Sequence, residues 1–196
     1  MTEQSKLAIV AVCTGNVCRS PMAEALLRHN LAVRGIVADV SSVGMLDLSS
    51  GADPLAVRAL AERGLDISMH QSQMMTEENL SGADFVLCMT REHVRAVALL
   101  DPSIYPRTFT LRELVRRAQA FGGPAKGQPV WQWSVGLSAD RKFADLLGDS
   151  PLDDIEDPLG RSAEFFREIA SQIAELTSAL AVTIASGRSF DTDQRR

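Results

Sequence analysis

Cysteine is scarce in this 196-residue chain, which has only Cys13, Cys18 and Cys88. An odd, small number in a chain of this length does not build a disulfide framework, so reduced thiols and a cytoplasmic setting are expected. Histidine is equally sparse. His29, His70 and His93 are scattered, no two stand at metal-ligand spacing, and neither a metal nor a cofactor is expected. Lysine and arginine form no run or basic stripe, and the net charge is −5 with acids and bases interspersed, which argues against a nucleic-acid partner. No apolar run approaches the roughly 20 residues of a membrane-spanning helix, so no membrane partner is expected. The first residues carry Glu3 and Lys6 and no small-residue cleavage site, which argues against a signal peptide. No internal repeat is visible. What remains is 45% hydrophobic, enough for one domain with a sizeable core.

The apolar pattern alternates between two periods. Leu7–Val12 is a continuous run rich in β-branched residues and predicts a buried parallel strand. Ala23, Leu26, Leu27 and Leu31 recur at helical spacing, predicting a helix over 21–33 with Pro21 in its first turn. Val37–Val43, Asp84–Met89 and Arg107–Thr110 read as further strands. Asp53-Pro54 opens a helix that Gly64 stops, and residues 91–99 and Leu111–Ala120 predict two more. Phe165, Ile169, Ile173, Leu176 and Leu180 mark a long final amphipathic helix. Such alternation predicts an α/β fold: a four-stranded parallel sheet with helices on both faces and right-handed crossovers. In such sheets the ligand sits beyond the carboxyl ends of the strands. Residues 121–152 break the rhythm with Gly122-Gly123-Pro124, Gly127, Pro129 and both tryptophans, Trp131 and Trp133. Ser138–Leu147 predicts a short helix there. A surface excursion anchored by the tryptophans is expected, against a second reading in which it shapes the rim of a site. The domain spans 1–185, and the polar residues 186–196 are expected to be disordered.

Between the first strand and the first helix runs Cys13-Thr14-Gly15-Asn16-Val17-Cys18-Arg19-Ser20-Pro21. A strand, a short loop and a helix N-terminus make an anion site, because successive backbone N–H groups point inward at phosphate oxygens. Thr14, Gly15, Asn16, Val17, Cys18 and Ser20 form that cradle, and the planar fork of Arg19 can grip two oxygens at once. Cys13 then faces phosphorus, where the helix terminus, Arg19 and the Ser20 hydroxyl favour its thiolate. The arrangement points to phosphoryl transfer through a covalent cysteine intermediate. Other readings compete: Cys13 as an inert strand cysteine, Ser20 as a helix cap, and Cys18 and Cys88 as core packing.

This loop, followed by Pro21-Met22-Ala23-Glu24 and much later by Asp157-Pro158, resembles the low-molecular-weight protein tyrosine phosphatase family. Ser42-Val43-Gly44, Gly82–Met89 and Phe109-Thr110-Leu111 are similar to it as well, so the likeness covers most of 6–120 and 153–185. It implies a flavodoxin-like three-layer sandwich, with 121–152 inserted relative to the family's minimal core. It implies a phosphocysteine on Cys13, a phosphate held by residues 14–20, and Asp157 as general acid. Asn16 would hold the loop's shape, Ser42 and His70 would brace it from behind, and Cys18 could form a reversible disulfide with Cys13. The implied substrate is a phosphorylated protein or a small aryl phosphate. Composition alone leaves Asp153, Asp154, Glu156 and Asp157 open as the acid; Pro158 extends the backbone of Asp157 and fixes its direction, and the other three are expected to be solvated charges.

The pattern also departs from tyrosine-directed members. They often carry an aromatic directly after Asp-Pro, where this chain has Leu159 and Gly160, and the loop after Gly44 offers only Met45 and Leu46. Arginine phosphatases of the same family carry Thr where this chain has Val17, which favours tyrosine. A thioredoxin-coupled arsenate reductase needs a further cysteine pair, and only Cys88 lies beyond the loop. A non-catalytic phosphate-binding module has no need of Cys13 and Asp157.

Overall fold

In the computed structural model, which describes residues 6–187, β1 (Leu7–Cys13) pairs in parallel with both β2 (Ala38–Gly44) and β3 (Phe85–Cys88). β4 (Thr108–Thr110) pairs in parallel with β3, giving the order β2-β1-β3-β4. Because side chains alternate along a strand, β1 serves two cores. Ile9, Ala11 and Cys13 join the larger one, with α1 (Arg19–Ala32), α2 (Pro54–Ala61), α5 (Leu111–Phe121), α6 (Val130–Leu137) and α7 (Ala163–Ser186). Val10 and Val12 join the smaller one, with α3 (Glu77–Ser81) and α4 (Arg91–Leu100). A strand buried on both faces must be apolar throughout, which is why Leu7–Val12 reads as an unbroken run.

By length and composition α7 could cross a membrane. Its apolar stripe, with Phe166, Ile169, Ile173, Leu180 and Ile184, is instead buried against α1, α2 and α5. The tail expected from 186 starts inside α7, whose last residue is Ser186, and 188–196 lie outside the described residues.

The helix expected at Ser138–Leu147 is displaced. The segment folds as α6 over Val130–Leu137, with only a 3₁₀ turn at Phe143–Leu146. Val130, Trp133, Ser134 and Leu137 are the residues that bury, and they share one helical face ending before Ser138. Trp133 Nε1 donates to Gly122 O at 2.9 Å, while Trp131 stays exposed. Ser134 Oγ donates to Asp84 O at 3.0 Å, and Asp84 N donates to Ala8 O. α6 therefore packs beside the amino end of β1, about 16 Å of strand away from Cys13. Neither tryptophan reaches the carboxyl ends of the strands.

β1 and β3 are neighbours in space, but the chain leaves them toward opposite faces. Their carboxyl ends bound the crevice where ligands bind in this class of sheet. Cys13 ends β1 there.

Candidate active site

Residues 14–18 turn tightly from β1 into α1, and Asn16 sits at the bend with φ of 52°. A left-handed backbone suits asparagine better than most residues. Asn16 is fully buried and each of its polar groups is used. Nδ2 donates to Ser20 Oγ at 2.9 Å and Ser42 Oγ at 2.8 Å. Oδ1 accepts from Gln73 N at 2.9 Å, and its carbonyl accepts from His70 Nε2 at 2.8 Å. Ser42 Oγ in turn donates to Glu24 Oε2 at 2.6 Å, and Glu24 is paired with Arg28. Ser42 and His70 thus stand behind the loop.

Gly44 allows β2 to run directly under the loop. A Cβ on it would lie 2.8 to 2.9 Å from Asn16 N, Gly15 C and Thr14 O, all backbone atoms. The bonds Met45 N to Cys13 O and Leu46 N to Thr14 O fix that approach.

The Cys13 sulfur is buried, accepts from Asn16 N at 3.3 Å and lies 3.0 Å from Ser20 Oγ. One backbone N–H and one hydroxyl thus meet this sulfur, and the same hydroxyl also reaches Val43 O at 3.3 Å. Ser20 is not a helix cap. α1 already begins at Arg19, its N-cap Cys18 makes no side-chain bond, and the Ser20 hydroxyl faces the sulfur. No hydrogen bond among the described residues engages the backbone N–H of Gly15, Val17 or Cys18, so these donors remain for an anion.

Arg19 is buried at the mouth of the loop. Nη1 donates to Ile155 O at 3.0 Å, and Nη2 donates to Thr14 Oγ1 at 3.3 Å and Asp157 Oδ2 at 2.5 Å. Its buried Nε has no partner among the described residues. An unpaired guanidinium N–H beside free loop amides is a donor set for a doubly negative oxyanion. Among the described residues, no three His, Cys, Asp or Glu side chains gather as a metal site.

Ile155 fixes the segment that carries Asp157. Its N–H donates to Met89 O at 2.8 Å, just past β3, while its carbonyl takes Arg19. Asp157, two residues on, then faces Arg19 with its side chain 44% exposed. The expectation that Asp153 and Asp154 are solvated fails. Asp153 is buried and accepts from Arg91 Nε at 2.8 Å and Arg116 Nη2 at 2.7 Å. Burial works to raise its carboxyl, but the bonds from Arg116 and Arg91 more than offset this and hold it below the usual range. Asp154 accepts from Arg91 N at 2.7 Å and Ser150 N at 2.8 Å. Both acids brace the loop that carries Asp157, and only Glu156 and Asp157 are exposed.

Sequence reading missed His93. From α4 its Nε2 meets Thr14 Oγ1 at 3.1 Å, and burial, then the Arg19 charge, pushes its imidazole down to about 3. No motif announces it, since 79 positions separate it from Thr14. Cys18 lies buried in the loop, its thiol pushed well up by burial, then by Asp53, Asp157 and Cys13. Cys88 is fully buried in β3.

A family model described as low molecular weight phosphotyrosine protein phosphatase matches residues 8–121. The protein-arginine-phosphatase of Bacillus subtilis is 30% identical over 181 residues, covering 92% of this chain and 98% of that protein. A probable low molecular weight protein-tyrosine-phosphatase of Ralstonia solanacearum is 40% identical over 106 residues, covering 54% of this chain and 71% of that protein. Among solved structures, the low molecular weight protein tyrosine phosphatase from T. tengcongensis superposes with a TM-score of 0.70 at 28% identity. The match covers 91% of this chain and 100% of that one.

Proposed function

Since the chain belongs to the low molecular weight phosphotyrosine protein phosphatase family, we propose that it hydrolyses phosphorylated protein side chains, phosphotyrosine first, through a phosphocysteine on Cys13. One observation supports this reading: a buried sulfur met by a backbone N–H and a hydroxyl shares a loop with a buried arginine whose Nε has no partner among the described residues, and Asp157 faces that arginine.

Cys13 attacks phosphorus in line, and the bond to the leaving oxygen breaks. The loop amides and Arg19 take up the charge on the equatorial oxygens without reorganising. An incoming phosphate competes with Asp157 for Arg19 Nη2, which turns the carboxyl toward the leaving oxygen. Asp157 gives that oxygen its proton, then takes one from the water that attacks the phosphocysteine; the S–P bond breaks, inorganic phosphate is released, and sulfur returns as the thiolate that attacked. Ser42 and His70 brace Asn16, and Cys18 serves as a resolving thiol for an oxidised Cys13. Reduced cysteines suit a cytoplasmic enzyme.

Phosphotyrosine is favoured by the walls of the loop mouth. Leu48 leans so far over Gly15 that a Cβ there would lie 2.5 Å from its Cδ1 and 3.7 Å from Val17 Cγ2. Leu46 and Leu159 are exposed and aliphatic. Branched apolar walls pack a ring better than a charged guanidinium. Phosphoarginine is the second reading, favoured by the likeness to an arginine phosphatase along nearly the whole chain. Phosphotyrosine and phosphoarginine peptides compared side by side decide between them. A higher kcat/KM on phosphotyrosine is expected, with Val17→Thr moving the ratio toward phosphoarginine. A wild type that already prefers phosphoarginine overturns the tyrosine assignment.

A further inference from the structure

His93 touches neither Cys13 nor Asp157, yet its bonds settle what the first hydroxyl of the loop can do. The Thr90 backbone N–H donates to His93 Nδ1 at 3.1 Å. A backbone N–H can only donate, so Nδ1 accepts and the neutral ring carries its proton on Nε2. Nε2–H then donates to Thr14 Oγ1 at 3.1 Å, and Arg19 Nη2 donates to the same oxygen at 3.3 Å. A hydroxyl has two acceptor positions and one proton. Both acceptor positions of Thr14 are filled, so its proton is left to be donated. The same Nη2 lies 2.5 Å from Asp157 Oδ2, so this hydroxyl stands where the arginine and the acid meet.

We propose that His93 is a positioning residue that fixes the Thr14 hydroxyl as a donor to the oxygen leaving phosphorus and, in the second step, to the attacking water. A ring able to charge would serve badly, because Nδ1 would then lose its role as acceptor. At 1% exposure and beside Arg19 the ring stays neutral. The bond it enables strengthens as charge grows on the reacting oxygen, so it acts on turnover more than on substrate binding. The proposal rests on the phosphatase reading of the site.

A double-mutant cycle on a phosphotyrosine peptide tests it. His93→Phe and Thr14→Val should each lower kcat about tenfold, the scale of one hydrogen bond, with KM little changed. The double variant should fall no further than either single one, because both remove the same bond. His93→Gln, which keeps an amide donor, should recover part of the loss and serves if His93→Phe does not fold. Losses that multiply to about a hundredfold, or that fall on KM alone, overturn the proposal. A wild type without turnover on any phosphopeptide removes the phosphatase reading and this proposal with it. Independently of turnover, ¹⁵N spectra of the His93 ring should show the Nε2–H tautomer unchanged from about pH 5 to 8. A ring that titrates in that range overturns the assignment.

Discussion

Asp157 is the carboxylate whose chemistry can be separated from its neighbours'. Asp153 and Asp154 are occupied by Arg91, Arg116 and backbone donors, while among the described residues Asp157 meets only Arg19 and the N–H of Leu159. General acid catalysis contributes roughly 10²–10⁴ in rate, and that benefit shrinks as the leaving group becomes more acidic. Asp157→Asn should therefore slow a phosphotyrosine peptide far more than an activated aryl phosphate. Asp154→Asn, which keeps one acceptor oxygen, should show no such dependence; the reverse pattern in steady-state assays would mean the acid lies elsewhere. Cys18 calls for a different reading of burial. Burial holds its thiol protonated, which slows its own oxidation, and it shares the loop with Cys13, the proposed nucleophile. Peroxide should produce a Cys13–Cys18 linkage, seen by mass spectrometry and reversed by thiols. If Cys18→Ser recovers as fully as the wild type, Cys18 has no protective part. The contiguous residues of this site could be read from sequence because their chemistry lies in one short stretch. His93, Gln73 and Ile155 could not, since only folding brings them within bonding distance of residues 57 or more positions away.

The loop from Cys13 to Ser20 has its shape imposed from below. β2 passes beneath it at Gly44, and Asn16 ties it to β2 and to the segment around His70 and Gln73. Gly44→Ala should be expensive, because the added methyl meets backbone, which cannot rotate away. A loss of about 1–3 kcal/mol is expected in chemical denaturation, together with weaker oxyanion binding. Unchanged vanadate affinity in Gly44→Ala would show that the loop does not depend on that close approach. Elements that bury a continuous stripe, such as β1 and α7, were legible from periodicity. α3 was not: it has five residues and buries only Leu80. α6 was misplaced because Gly and Pro punctuation hides where its buried residues begin, and its N-cap Pro129 offers no side-chain bond.

Two cores clamp β1, and the active site is the place where its buried end meets solvent. One consequence shows in stability against pH. His93 takes up protons near 6.5 in an unfolded chain but only near 3 in the fold. Between those values the unfolded chain binds more protons, so stability falls as pH falls through that window. The melting temperature should drop below about pH 6.5, and His93→Gln should flatten that decline; an equal slope in both proteins would exclude His93 as its source. Asp153, held low by its arginines, adds stability that is present above about pH 3.9 and is lost in stronger acid. The proposed hydrolysis depends on one bond, that between Cys13 Sγ and phosphorus. Rapid quench of the wild type with labelled phosphotyrosine peptide should trap a phosphothiol on Cys13. Cys13→Ser should keep binding phosphate or vanadate in the intact loop but lose turnover. Normal turnover by Cys13→Ser, or label trapped on any other residue, would contradict the account.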